Sequence, residues 1–120
     1  MNKNAAFLNR LGWAWQGILA AYHQETSFRT QAHIGAGVLI LMVVIRPGWL
    51  WAAVILILTG MVLMAELFNT ALEATLDGLH PQAAPFVKLA KDCAAGAALV
   101  ASTTAAMVGL FLMLDWMNTW

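Results

Sequence analysis

From Trp49 to Ala65 the chain carries no charged residue, and Leu67 and Phe68 extend the apolar run beyond Glu66. This stretch approaches the roughly 20 residues that a helix needs to cross about 30 Å of hydrocarbon. In lipid a single segment satisfies its own backbone N–H and C=O groups only as a helix, so the run fixes both the solvent and the secondary structure. Two further runs flank it. One extends from Phe28 to Ile45 and is closed by Arg46, Pro47 and Gly48, a breaker cluster that leaves almost no loop. The other begins near Pro85, is dominantly apolar from Cys93 to Leu114, and ends in the interfacial set Asp115, Trp116 and Trp120. Hydrophobic residues make up 62% of the chain and charged residues 10%, against roughly 45–50% and about 25% in soluble domains.

The expected architecture is an all-α membrane protein forming one membrane domain over residues 1–120. Upstream of the first span, Leu8, Leu11, Trp15, Ile18, Leu19 and Tyr22 recur at helical spacing, with Asn9, Arg10, Gln16 and His23 largely on other faces. This pattern predicts an amphipathic interfacial helix over about 5–24. Spans are expected at 28–45, at 49–79 with a polar-striped extension past the membrane, and at 85–115. Residues 1–24 lack the continuous apolar core of a cleavable leader, so none is expected. Lys3, Arg10 and Arg29 precede the first span and Lys88 and Lys91 lie between the second and third, with only Arg46 at the opposite end. The positive-inside rule then puts the N-terminus and the second connection in the cytoplasm.

The formal net charge is zero and no basic run occurs, so the footprint of a nucleic-acid binder is missing. Cys93 is the single cysteine, which excludes an intramolecular disulfide and a cysteine-built metal cage. No Walker-type loop is present, because neither Lys88 nor Lys91 is followed by Ser or Thr.

Chemistry therefore falls to the acidic residues. Glu66, Glu73 and Asp77 sit at i, i+7 and i+11, which on a helix places them within about 40° of one another and spreads them over about 16 Å of depth. Asn69 and Thr70 lie beside that stripe. An ionisable side chain at a span's edge is costly to insert and normally faces protein, which makes the stripe a candidate site. The deeper residue can meet something dissolved in the membrane and the shallower ones a soluble ligand or metal held by hard oxygen ligands. Glu25 and Arg29, at i and i+4, fit an ordinary helix pair equally well. His33 reads as a hydrogen-bonded packing residue, and Ser102 to Thr104 as hydroxyls bonded to their own or a neighbouring helix.

The stretch Glu66-Leu67-Phe68-Asn69-Thr70-Ala71-Leu72-Glu73, then Asp77, then Ala90-Lys91-Asp92 ahead of an alanine-rich helix, strongly resembles the prokaryotic diacylglycerol kinase family. Glu25 through Arg29 and Gly12 through Gly17 resemble its N-terminal pattern, so the likeness covers nearly the whole chain. The resemblance implies a homotrimer in the bacterial cytoplasmic (inner) membrane, with active sites shared between subunits at the cytoplasmic interface. It implies transfer of the γ-phosphate of ATP to a lipid hydroxyl, here diacylglycerol to give phosphatidic acid, with undecaprenol as the alternative acceptor. By that likeness Glu66 is the general base, Glu25 and Glu73 hold Mg²⁺, and Asn69 orients the γ-phosphate. Lys91 and Asp92 secure the phosphate tail, Asp77 lies near the nucleotide, Arg10 and Trp13 contact it from the N-terminal helix, and Ser27 and Arg29 meet the lipid. A more distant reading, a small proton-coupled transporter, requires a carboxylate near mid-bilayer and leaves Glu73 and Asp77 without a role.

Overall fold

Pro47 and Gly48 explain the short hairpin between the first two spans. A computed structural model describes residue 4 and residues 6–119; Lys3 and Trp120, used above for orientation and for the interfacial end, lie outside those residues. Helix α1 spans Phe7–Gln24, α2 Thr26–Ile45, α3 Trp49–Leu79 and α4 Pro85–Asn118. Proline disfavours helical geometry in the residue before it, and Arg46 closes α2 in the left-handed region at φ 47°, with its N–H donated to Met42 O. Gly48, at φ 103°, then starts α3.

Three of the four helices, α2, α3 and α4, are long and apolar enough to cross a membrane. At 31 and 34 residues, α3 and α4 are about 46 and 51 Å long, well beyond about 30 Å of hydrocarbon. Both therefore run past the apolar layer, and the polar residues of the α3–α4 connection lie on that overhang. α3 is unbroken through Glu66, Glu73 and Asp77, so the stripe is carried on one rigid rod.

The helices form antiparallel neighbours. α3 packs along α4 over the greatest length, α2 packs on α3, and α1 contacts α2 near their joint and touches α3. Phe28, Ile55, Val62, Ala98 and Leu112 are buried between them. At Gly35 the approach of α2 to α3 is tight: a Cβ there would lie 2.9 Å from Thr59 Cγ2. Small residues allow such contact between membrane helices, where packing and polar bonds replace the hydrophobic drive. α2 and α4 stand farther apart, bridged where Gln31 Nε2 donates to Ser102 Oγ at 3.0 Å. A cavity of about 370 Å³ lies below this bond, lined by Gly35, Val38, Thr59, Val62 and Gly109. Thr59 donates to Ile55 O within its own helix.

Candidate active site

The acidic stripe of α3 changes environment along its length. Glu66 is 7% exposed and is the one buried charged residue among those described. Glu73 is half-buried and the Asp77 side chain is 65% exposed. Glu66 lies 17 residues into α3, about 26 Å from its start, which puts it at the far edge of the apolar layer and away from its middle.

Glu25 joins this stripe from another element. It is the single residue between α1 and α2, extended at φ −113° and ψ 113°. Arg29 secures the joint: its guanidinium donates to the carbonyls of Tyr22 and His23 at 3.1 and 3.4 Å and reaches Thr26 Oγ1 at 3.5 Å. It thereby satisfies orphan acceptors at the end of α1. The helix pair that the i, i+4 spacing of Glu25 and Arg29 permits does not form, because Glu25 is outside either helix and Arg29 is engaged with the backbone. Glu25 and Glu73 are both close enough to Glu66 for their charges to act on it. The described ion pairs are Lys88–Asp92 and Lys91–Asp77, so none of these three glutamates has a cationic partner among the described residues.

Like charges brought together without a counter-charge are unfavourable, more so where one of them is shielded from water. The arrangement is therefore suited to a ligand that brings positive charge. Among the described residues no three His, Cys, Asp or Glu side chains are grouped so as to hold a metal by themselves. Mg²⁺ does not require such a cage, since it keeps several waters and is commonly held by one or two carboxylates plus substrate phosphates. The donors present fit that mode of binding.

Asn69 shares the face of Glu66 and Glu73, and its Oδ1 is buried with no hydrogen-bond partner among the described residues. Unpartnered buried carboxamides are uncommon in native proteins and call for an explanation. Thr70 does not join the cluster; its hydroxyl donates back to Glu66 O at 3.0 Å. On the overhang, Lys91 Nζ meets Asp77 Oδ1 at 2.6 Å, joining α4 to α3. Asp92 is bound to Lys88, one turn earlier, and not to the adjacent Lys91. The connection between these helices is ordered by His80, which bonds Gln82 O and stacks edge-on against Phe86 at 4.9 Å.

Arg10 and Ser27 are exposed and Trp13 is half-buried, and no bond is formed from any of their side chains to the carboxylates. His33, in α2, is hydrogen-bonded to Tyr22 Oη at 2.7 Å across the bend from α1. The Lys88–Asp92, Tyr22–His33 and His80–Phe86 contacts are not among the sequence expectations; the i, i+4 spacing of Lys88 and Asp92 is a readable signal, whereas the other two depend on how the chain turns.

Comparison with known proteins gives a concordant picture. A family profile described as Prokaryotic diacylglycerol kinase matches residues 12–113. An Undecaprenol kinase of Bacillus subtilis is 31% identical over 94% of this chain and 92% of its own length. A Diacylglycerol kinase of Escherichia coli K12 is 31% identical over 85% of this chain and 84% of its own length. A Diacylglycerol kinase of Synechocystis is 35% identical over 85% of this chain, which spans only 59% of that relative. Apolar helices, a buried glutamate at the membrane edge and a match running through both fall together, and the chain belongs to the prokaryotic diacylglycerol kinase family.

Proposed function

We propose that this chain is an ATP-dependent lipid kinase that transfers the γ-phosphate of ATP to the hydroxyl of diacylglycerol, giving phosphatidic acid. The observation that carries this reading is buried Glu66 within reach of the charges of Glu25 and Glu73, with no cation paired to them among the described residues, where the apolar part of α3 gives way to its polar overhang. A diacylglycerol hydroxyl reaches that depth from the bilayer, and ATP reaches Glu73, Asp77 and Lys91 from the aqueous side. Phosphoryl transfer asks a protein mainly for positioning and charge neutralisation, which side chains of this kind supply without a phosphate loop.

In this scheme Glu66 accepts the proton of the lipid hydroxyl as its oxygen bonds to the γ-phosphorus and the bond to the β–γ bridging oxygen breaks, releasing ADP. Glu25 and Glu73 hold Mg²⁺, which when bound neutralises charge on the phosphates. Asn69 turns its carboxamide toward the γ-phosphate and donates N–H. Lys91 exchanges its bond to Asp77 for the phosphate tail, with Asp92 and Lys88 beside it. Arg10 and Trp13 approach the nucleotide from α1, and Ser27 and Arg29 border the lipid path. Exposure of Leu8, Leu11, Trp15 and Leu19 on α1, beside Asn9, Arg10 and Gln16, supports its place as an interfacial helix. The wide apolar exposure of α2, α3 and α4 leaves room for the homotrimer with shared sites, in the bacterial inner membrane with its N-terminus cytoplasmic.

Undecaprenol is the second acceptor to test, because the Bacillus subtilis relative covers nearly the whole chain. The edge position of Glu66 disfavours a transporter, whose proton site belongs near mid-bilayer. Phosphate incorporation from labelled ATP into diacylglycerol and undecaprenol, in matched micelles with and without Mg²⁺, tests the proposal. Mg²⁺-dependent labelling of diacylglycerol is expected. Labelling of undecaprenol alone reassigns the acceptor, and no lipid labelling with either refutes the kinase.

A further inference from the structure

At the hairpin end, opposite the carboxylates, a groove of about 500 Å³ is lined by Met42, Val43, Arg46, Pro47, Trp49 and Ala52. Its size falls in the range of about 300–1,000 Å³ typical of ligand sites. All of these residues but Arg46 are apolar. Asp115, an acid at the same end, is engaged by Trp51 Nε1 at 2.9 Å, and Arg46 forms no side-chain hydrogen bond or ion pair among the described residues. Arg46 also stands in a left-handed backbone conformation that glycine or asparagine would adopt more easily. An unpaired arginine in an unfavourable backbone conformation, above an apolar trough, suits a ligand with an anionic head and a hydrocarbon body.

We propose that this groove binds an anionic phospholipid of the leaflet opposite the carboxylate cluster, with its phosphate on Arg46 and an acyl chain along Met42, Val43 and Ala52. Charge complementarity selects the occupant: a guanidinium with no partner among the described residues attracts an anionic headgroup, and one basic side chain near an anionic lipid surface corresponds to about a fivefold preference. Trp49, 93% exposed, and Trp51 provide the ring belt found at headgroup depth. A neutral acceptor lipid would leave the guanidinium without a partner, and the kinase site lies at the other end of α3, so this lipid is a bound structural component.

The test counts dioleoyl-phosphatidylglycerol and dioleoyl-phosphatidylcholine retained per chain by native mass spectrometry of the full-length protein purified in neutral detergent. The wild type is expected to keep one more phosphatidylglycerol per chain than Arg46→Gly, and to prefer it over phosphatidylcholine about fivefold at that site. Arg46→Gly is chosen because glycine tolerates this backbone, so folding is retained; Arg46→Lys should keep the lipid. Equal counts in wild type and Arg46→Gly overturn the proposal. So does protection from thermal unfolding by inorganic phosphate equal to that by phosphatidylglycerol, which would identify a soluble anion. A loss of subunits from the assembly in Arg46→Gly, with lipid counts unchanged, would identify a second copy of the chain as the occupant.

Discussion

The two ends of the bundle handle charge in opposite ways. At the hairpin end, Asp115 is held by Trp51, a hydrogen bond that ties the start of α3 to the end of α4, and the α2–α3 connection is only three residues long. At the other end, α1 breaks at Glu25, α3 and α4 run past the apolar layer, and Glu66 lies within reach of the charges of Glu25 and Glu73 with no cation paired to any of the three among the described residues. At the first end the described acid is held by a neighbouring helix, and the charge left unpaired among the described residues is a lone cation, Arg46. At the second, Lys91–Asp77 joins α4 to α3 while the three glutamates have no paired cation among the described residues, an arrangement suited to a ligand that brings positive charge.

The largest effect expected from breaking this contrast is at Glu66. Glu66→Gln keeps the shape and removes the carboxylate proposed as the base, so turnover should fall by about 10²–10⁴-fold while ATP binding, measured by equilibrium dialysis, stays within a factor of two to three; a matching loss of ATP binding would make Glu66 a nucleotide ligand instead. Next comes Glu73→Gln, expected to raise the Mg²⁺ concentration for half-maximal activity by about tenfold or more through loss of a hard anionic ligand. A change in maximal rate with no change in Mg²⁺ dependence would contradict that role. Between the two ends, Gly35→Ala places a methyl against Thr59, whose β-branched side chain has little freedom to turn. A loss of about 1–3 kcal/mol in unfolding stability is expected, the usual range for overpacking. Smallest is Trp51→Phe, which removes the hydrogen bond to Asp115; about 0.5–1.5 kcal/mol of stability should be lost with turnover per folded enzyme unchanged. An equal fall in turnover would show that the hairpin end communicates with the carboxylates.

The apolar runs from Phe28 to Ile45, Trp49 to Ala65 and Cys93 to Leu114, with the breakers at 46–48, make three long apolar helices legible in the sequence. Spacing along one helix also gave the common face of Glu66, Glu73 and Asp77. What it could not give was contact between elements. The approach of Glu25 to Glu66 depends on a bend at a single residue stabilised by Arg29, which has no glycine or proline signal at the joint. The same limit applies to Asn69, whose position on the face was readable but whose buried, unpartnered oxygen was not. At Asp92 the partner is not legible from adjacency: its sequence neighbour Lys91 reaches across to Asp77, while Lys88, one turn back, takes the carboxylate. Adjacent helical residues diverge by about 100°, so sequence adjacency argues against a shared bond.

Because α3 is continuous from Trp49 to Leu79, Glu66, Glu73 and Asp77 have a single angular degree of freedom. Twisting that shaft turns all of them together, and no motion of the shaft alone can retract one and leave the others.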